Sequence, residues 1–152
     1  MKKWIYLTES GLNELRRQYA ELIAARSLIV DRVKSARELG DVAENAEYLS
    51  ARQELERTED RISEIENILA CAKQIDLYSN AKNVGLGSLV TLCANNKERI
   101  LQIVSTIEAD PLNGKISDES PLGKKLLGKA AGDRIEVEAA HGAIIYTIIK
   151  IN

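Results

Sequence analysis

The chain has 152 residues, of which 45% are hydrophobic, 29% are charged and only 4% are aromatic, with no phenylalanine. Its net charge of −2 argues against a general nucleic-acid coat, because such proteins are basic overall. No apolar run approaches the roughly 20 residues of a membrane span, and the N-terminal apolar run is too short for a signal peptide. We therefore expect a soluble cytoplasmic protein. The scarcity of aromatic residues beside so much charge predicts that much of the chain is thin and extended.

Residues 8 to 74 carry a helical pattern that contains no proline and only two glycines, Gly11 and Gly40. Thr8 is a suitable N-cap for the first helix, since its hydroxyl can accept a hydrogen bond from a backbone N–H. Positions that are apolar, except for one shared polar layer of Arg26 and Thr58, then recur at alternating steps of three and four residues, which is the heptad spacing of a coiled coil. The two seams are Leu12, Leu15, Tyr19, Leu22, Arg26, Ile29, Val33 and Ala36, then Tyr48, Ala51, Leu55, Thr58, Ile62, Ile65, Leu69 and Ala72.

The two seams mirror each other about residue 42, so that Ala36 faces Tyr48 and every further pair follows in step. An antiparallel hairpin folded at that point would stack the seams layer by layer. The sequence therefore predicts a long antiparallel coiled-coil hairpin as the first domain, residues 1–75. An arm from 8 to 39 would be about 48 Å long at ~1.5 Å per residue.

The turn of this hairpin contains a cluster of acidic residues. Gly40 is expected to break the first helix with a positive φ. Asp41 could then cap the second helix, with Glu44 three residues on, in an arrangement close to a capping box. The same two carboxylates, at the end of a rod, would also suit Mg²⁺ if another molecule supplied further ligands. Local sequence leaves both interpretations open.

The second half alternates with the period of β-strands. A hairpin is predicted from residues 88–94 and 98–105 around the turn residues Asn95 and Asn96. A short helix Pro121–Leu127, capped by Ser120, should end at Gly128. A second hairpin turns at His141 and Gly142. Four strands and one helix predict a small α+β domain over 85–152, joined to the hairpin by a linker over 76–84.

Three stretches resemble the GreA/GreB family of bacterial transcript cleavage factors: LTESGLNEL (7–15), RELGDVAENAEY (37–48) and ISDESPLGKKLLGKAAGDRIEV (116–137). The resemblance covers essentially the whole chain. It implies an FKBP-like C-terminal domain without isomerase activity. It also implies a transcription elongation factor that inserts its coiled coil into the secondary channel of RNA polymerase. There it would stimulate the Mg²⁺-dependent cleavage of backtracked RNA by the polymerase itself, so the chain would not be an independent enzyme.

The resemblance assigns roles to the residues of the turn. Asp41 and Glu44 become the catalytic pair that positions a Mg²⁺ ion shared with the polymerase and not stably bound by this chain alone. Arg37 and Arg52 match a basic patch that contacts the RNA 3′ segment, although exposed arginines are usually only solvated. The patch is small, as in the GreA branch of the family. The supporting residues of the turn are Gly40, Asn45, Glu47 and Tyr48.

Several of these assignments have alternatives. Glu47 either adds to the negative field or is only solvated, and Tyr48 either packs the last layer of the seam or orients RNA. The partners implied are RNA polymerase and the nascent RNA 3′ end, with a monomeric chain and no membrane. Val42 and Ala43 are less polar than the residues usual in the family, which bears on the strength of cleavage. The rival functions are a channel-binding inhibitor of cleavage and, from the C-terminal fold, a peptidyl-prolyl isomerase.

Overall fold

The computed structural model describes residues 3–40, 44–76 and 82–152. Their contacts divide the chain into two compact units. Leu12–Ala72 belong to the first, called here the helical unit, and Trp4–Gly11 with Lys73–Asn152 form the second, called the sheet unit. In chain order the elements are β1 (Ile5–Leu7), α1 (Glu9–Arg37), α2 (Ala46–Ala70), β2 (Ala72–Gln74), β3 (Leu89–Ala94), β4 (Lys97–Val104), β5 (Lys115–Ser117), α3 (Pro121–Leu126), β6 (Arg134–Ala139) and β7 (Gly142–Ile151).

The helical unit consists of the two long helices, and they run antiparallel. Arg32 Nη1 of α1 lies 2.7 Å from Glu54 Oε2 of α2, and farther along, Tyr19 Oη donates to Glu66 Oε1 at 2.9 Å. Partner numbers on α2 rise as those on α1 fall, which only an antiparallel pair allows. Exposed polar pairs of this kind contribute at most about 1 kcal/mol each, so the apolar seam must supply most of the stability.

The predicted seam is confirmed by burial, because all sixteen of its positions are buried or half-buried. Ala36 and Ala51 are only 2% and 0% exposed, so these small side chains are fully buried near the turn. Ile62 and Ile65, farther along α2, are 3% and 0% exposed. Each fully buried side chain of this size contributes about 1.5–3 kcal/mol.

The second helix is shorter at both ends than the heptad seam and a cap at Asp41 would make it. The helix begins at Ala46 with Asn45 as its N-cap, so Asp41 is not its cap and Glu44 lies outside it. It ends at Ala70, and Ala72, the last seam position, lies in strand β2 instead. The heptad spacing runs past this end because residue spacing alone carries no signal for a three-residue strand. The fold point at residue 42 lies outside the described residues.

A five-stranded sheet in the order β5-β4-β3-β7-β6 forms the centre of the sheet unit. Both predicted hairpins are confirmed: β3 pairs antiparallel with β4, and β6 pairs antiparallel with β7. The first turn is made by Asn95 and Asn96, with φ of 52° and 60°, a conformation that asparagine tolerates better than most residues. His141 lies in the second turn, as predicted.

The prediction of four strands was wrong by one in this sheet. Strand β5 pairs in parallel with β4, Gln102 opposite Lys115. The strand was missed because three residues are too few for an alternation to be recognised. The predicted short helix is confirmed as α3, with Ser120 as N-cap accepting from the Gly123 N–H at 3.0 Å.

The hydrophobic core of the sheet unit lies on one face of this sheet. Residues 77–81 of the predicted linker lie outside the described residues, whereas Val84, near its end, is 4% exposed and belongs to this core. The other buried core residues are Val90, Leu92, Leu101, Ile103, Ile116, Leu126, Ile135 and Ile148.

Thr8, which immediately precedes α1, makes its hydrogen bonds within the sheet unit. The Thr8 hydroxyl accepts from the Gly11 N–H at 3.0 Å, which confirms the predicted N-cap. Glu108 accepts from the Thr8 N–H at 2.8 Å and from the Thr8 hydroxyl at 2.5 Å. A carboxylate at this position is favoured by the dipole of the long helix. None of the helices in the described part of the chain has both the length and the apolar character needed to cross a membrane.

Candidate functional site at the turn of the hairpin

The first helix ends a few residues before the glycine that was expected to break it. Arg37 is the last residue of α1, and the Leu39 N–H donates to the Ala36 carbonyl at 3.1 Å. Gly40 has φ of 155°, so the predicted positive φ is confirmed. A Cβ on Gly40 would meet no atom within 4 Å, so the backbone conformation and not a lack of space calls for glycine there.

Asn45 bonds to both helices at this end of the hairpin. Its Oδ1 accepts from the Tyr48 N–H at 3.1 Å, which satisfies one of the unpaired donors at the start of α2. Its Nδ2 donates to the Ala36 carbonyl at 2.6 Å, close to the end of α1. One side-chain amide therefore links the two helix ends.

Of the acidic residues predicted to function at the turn, the two that the structure describes are exposed. Glu44 precedes the cap residue, and Glu47 lies in the first turn of α2, where a negative charge suits the helix dipole. Because Asn45 is the cap, Glu44 is not engaged in the predicted capping box, and its carboxylate has no ion pair with a described residue. Asp41, Val42 and Ala43 lie outside the described residues.

Tyr48 is 6% exposed and lies in the last seam layer. This burial supports the packing interpretation of Tyr48 over a direct contact with RNA. The ring is therefore part of the buried seam next to the turn.

The two predicted basic residues lie on opposite helices and are both exposed. Arg37 makes no ion pair with any described residue, whereas Arg52 Nε lies 3.7 Å from Glu56 Oε1 on the same helix. At that distance and exposure the Arg52 pair is weak, so its guanidinium can exchange partners at little cost. Arg32, a further basic residue near the turn, is bound to Glu54.

Within residues 3–40, 44–76 and 82–152, no group of three histidine, cysteine or acidic side chains could hold a metal ion. Glu44 and Glu47 provide carboxylate oxygens, which are the ligands that Mg²⁺ prefers. Sequence reasoning named Asn45 only as a supporting residue and did not anticipate its bond to Ala36. The signal that could have found it is the preference for asparagine at N-caps, which competed with the aspartate at position 41.

Comparison with known protein families assigns the chain to a class of transcription elongation factors. Residues 5–73 match the family model described as "Transcription elongation factor, N-terminal", and residues 79–152 match "Transcription elongation factor, GreA/GreB, C-term". The chain belongs to the GreA/GreB family of transcription elongation factors.

Individual relatives are similar over their whole length. The transcription elongation factor GreA of Thermosipho africanus is 40% identical over 152 residues, covering 99% of this chain and 97% of that protein. The GreA of Lactococcus lactis subsp. cremoris is 38% identical over 156 residues, covering all of both. A solved structure of the transcription factor Gfh1 is 30% identical, with a TM-score of 0.50 over 100% of this chain and 99% of that one.

Proposed function

We propose that this chain binds RNA polymerase in the cytoplasm and inserts its helical hairpin into the secondary channel. There it stimulates the polymerase's own cleavage of the 3′ end of backtracked RNA and so releases arrested complexes. In this proposal the chain is not an enzyme by itself, because it supplies part of a site that the polymerase completes.

The observation that carries the proposal is the exposed carboxylate of Glu44 at the turn of a two-helix hairpin. The first helix of this hairpin, α1, has 29 residues and is about 43 Å long at ~1.5 Å per residue. A globular domain cannot place a carboxylate that far inside a narrow channel, whereas two packed helices can. Membership of the family supplies the partner.

Asp41 and Glu44 are the proposed metal-positioning pair. Two carboxylates leave most of the coordination sphere of Mg²⁺ open, so the remaining ligands would come from the polymerase, the RNA and water. Mg²⁺, when bound, stabilises charge on a phosphoryl oxygen and generates a nucleophile from water. In this proposal, the role of this chain is to hold the two carboxylates in fixed positions by keeping the turn in one conformation.

Arg37 and Arg52 are the proposed contacts to the RNA 3′ segment. Both guanidinium groups are exposed, and neither is held in a strong ion pair by the described residues. A planar guanidinium binds phosphate with paired hydrogen bonds, which suits the backbone of a displaced RNA end.

The sheet unit is proposed to have the FKBP-like fold and to bind the polymerase outside the channel. An isomerase of that fold needs an apolar pocket for proline. In the described part of the sheet unit, one open groove of about 500 Å³ is lined by Lys124, Lys125, Leu127, Lys129, Arg134, Ile135 and Glu136, with no aromatic side chain. This lining favours a binding role for the sheet unit over proline isomerisation.

The test is Asp41→Asn combined with Glu44→Gln in a cleavage assay on stalled elongation complexes. Stimulated cleavage should fall by about 100-fold, while binding to the polymerase is retained, because the side chains keep their size and lose their charge. The matched control is Glu59→Gln with Asp60→Asn, which removes the same charge from exposed positions in the middle of α2. Full cleavage by the bound double variant would refute the proposal.

The same assay distinguishes the proposed function from that of a channel-binding inhibitor, by whether cleavage rises or falls when the protein is added. An inhibitor that occupies the channel would lower the basal cleavage of the stalled complex when the wild-type chain is added. Stimulation above the basal rate excludes that role.

A further inference from the structure

The side chain of Asn45 makes two bonds of opposite kind with one planar group. The amide nitrogen donates to the Ala36 carbonyl at 2.6 Å, and the amide oxygen accepts from the Tyr48 N–H at 3.1 Å. An N-cap needs only the bond from the Tyr48 N–H to a side-chain oxygen, which aspartate or serine would accept equally well. The bond to the Ala36 carbonyl needs a donor on the same side chain. Among the usual N-cap residues, only asparagine has a donor and an acceptor on separate atoms of one side chain long enough to reach both partners.

The groups that Asn45 joins are held firmly by the seam. Ala36 is 2% exposed and Tyr48 is 6% exposed, so the acceptor and the donor both belong to the last packed layer of the hairpin. Two hydrogen bonds from a planar amide fix its position and its orientation. The Cα of Asn45 is thereby fixed relative to both helices.

Glu44 is the residue immediately before Asn45, and its Cα is one virtual bond of about 3.8 Å away. Its carboxylate is exposed and has no ion pair with a described residue that would hold it. The amide of Asn45, bonded at both ends, is a fixed group one residue away from Glu44. Loss of either amide bond would leave the carboxylate at the end of the rod but no longer at a defined place.

We propose that Asn45 is a positioning residue for Glu44, and that its bond to the Ala36 carbonyl determines how well the turn supports RNA cleavage. The inference rests on the proposed function. It adds to the proposed function a role for Asn45, whose side chain would act on Glu44 without itself binding metal or RNA. Since a displacement of about 1 Å can lower a rate by as much as 100-fold, a change in this bond should be measurable.

Two substitutions isolate the bond to Ala36. Asn45→Asp keeps an acceptor for the Tyr48 N–H but has no donor for the Ala36 carbonyl, and Asn45→Ser keeps a neutral cap too short to span both partners. At saturating concentration, both variants should stimulate cleavage at least about tenfold less than the wild type. The concentration that gives half-maximal binding to polymerase should change by less than about twofold, because the seam and the sheet unit are unchanged.

Tyr19→Phe is the matched control. It also removes a hydrogen bond between the two helices, from Tyr19 Oη to Glu66 Oε1, but far from the turn. It should leave both the maximal cleavage rate and the half-saturating concentration as in the wild type. A general loosening of the hairpin would lower cleavage in this variant too and would overturn the inference.

The geometry can be checked without polymerase. In the free protein, the side-chain amide protons of Asn45 should exchange slowly in the wild type, and the Tyr48 N–H should stay protected in Asn45→Asp and Asn45→Ser. Loss of Tyr48 protection in both variants would mean that the cap itself had failed, and would overturn the assignment of any effect to the Ala36 bond.

The outcomes separate this inference from the proposed function. If the wild type stimulates cleavage and both Asn45 variants do so within about twofold of it, the positioning role is refuted and the proposed function stands. If the variants instead lose affinity at an unchanged maximal rate, Asn45 acts in binding and the positioning role is again refuted. If the wild type gives no stimulation, the proposed function itself fails.

Discussion

The phenol of Tyr19 donates a hydrogen bond to the Glu66 carboxylate across the two long helices, at 2.9 Å. This bond raises the pKa of Tyr19 above its ordinary value, first through the hydrogen bond itself and then through burial and the charge of Glu66. Because the pKa is raised in the folded state, the neutral phenol is the form that folding favours. The contribution is fully present below the ordinary pKa of about 10 and is lost as pH rises through the folded pKa.

Glu66→Gln should lower the pKa of Tyr19 toward its ordinary value, because the amide cannot offer the negative acceptor. The measurement is the titration of ¹³C-labelled tyrosine by NMR, with Tyr19→Phe to assign the signal. Glu64→Gln is the control, since Glu64 is an exposed carboxylate of the same helix that pairs with Arg61 instead. A Tyr19 pKa that is the same in Glu66→Gln as in the wild type would contradict the hydrogen bond across the helices.

Among the elements, the start of α1 depends on a contact that is distant in sequence. Glu108 binds the backbone and the hydroxyl of Thr8, and Thr8 in turn caps the helix at Gly11. A Cβ on Gly11 would lie 2.2 Å from Glu108 Cδ. A side chain at this position would therefore displace the Glu108 carboxylate from its bonds to Thr8.

Gly11→Ala should destabilise the protein by about 1–3 kcal/mol, because the methyl group displaces Glu108 and leaves the Thr8 backbone donor unsatisfied. The measurement is the difference in the free energy of unfolding between Gly11→Ala and the wild type, obtained by chemical denaturation with the same dependence on denaturant for both proteins. Gly85→Ala is the control, since a Cβ there meets no atom within 4 Å. Equal stability of Gly11→Ala and the wild type would show that the carboxylate can move away without cost.

The parts of the fold that follow from local sequence were predictable, and the parts that depend on distant partners were not. The seam spacing predicted which faces of α1 and α2 are buried, and the Asn95-Asn96 pair predicted the turn between β3 and β4. Strands β1, β2 and β5 have three residues each, so their pairing comes from contacts with remote segments. Glu108 gives no sign in the sequence that it bonds to Thr8.

The candidate site shows the same division. Its place at the end of a hairpin followed from the mirrored seams, and its acidic character from the residues themselves. The choice of cap did not follow, because Asp41 and Asn45 are both good N-caps and the sequence offers no local reason to prefer one. In the structure Asn45 is the cap, and its bond to the Ala36 carbonyl depends on the antiparallel packing of the two helices, which local sequence does not show.

For the molecule as a whole, the two units are stabilised in different ways. The sheet unit has a continuous hydrophobic core, whereas the helical unit is held by a narrow seam with isolated buried residues such as Ile65. The unfolding of each unit can also be followed by its own spectroscopic signal, tryptophan fluorescence for the sheet unit and helical circular dichroism for the helical unit. The single tryptophan of the chain, Trp4, belongs to the sheet unit, with Lys73 Nζ 4.1 Å from the ring centroid, while most helical residues lie in α1 and α2.

Ile65→Ala and Ile148→Ala are matched substitutions at positions 0% and 1% exposed, one in each unit, and each should cost about 2–5 kcal/mol. We expect Ile65→Ala to lower the unfolding midpoint seen by helical circular dichroism more than the midpoint seen by Trp4 fluorescence. Ile148→Ala should do the reverse. The reason is that each cavity removes packing contacts within its own unit. Leu112→Ala, at a position 98% exposed, should move neither midpoint. If both probes shifted equally in both isoleucine variants, the chain would unfold as one cooperative body, and the hairpin would owe its stability to more than its own seam.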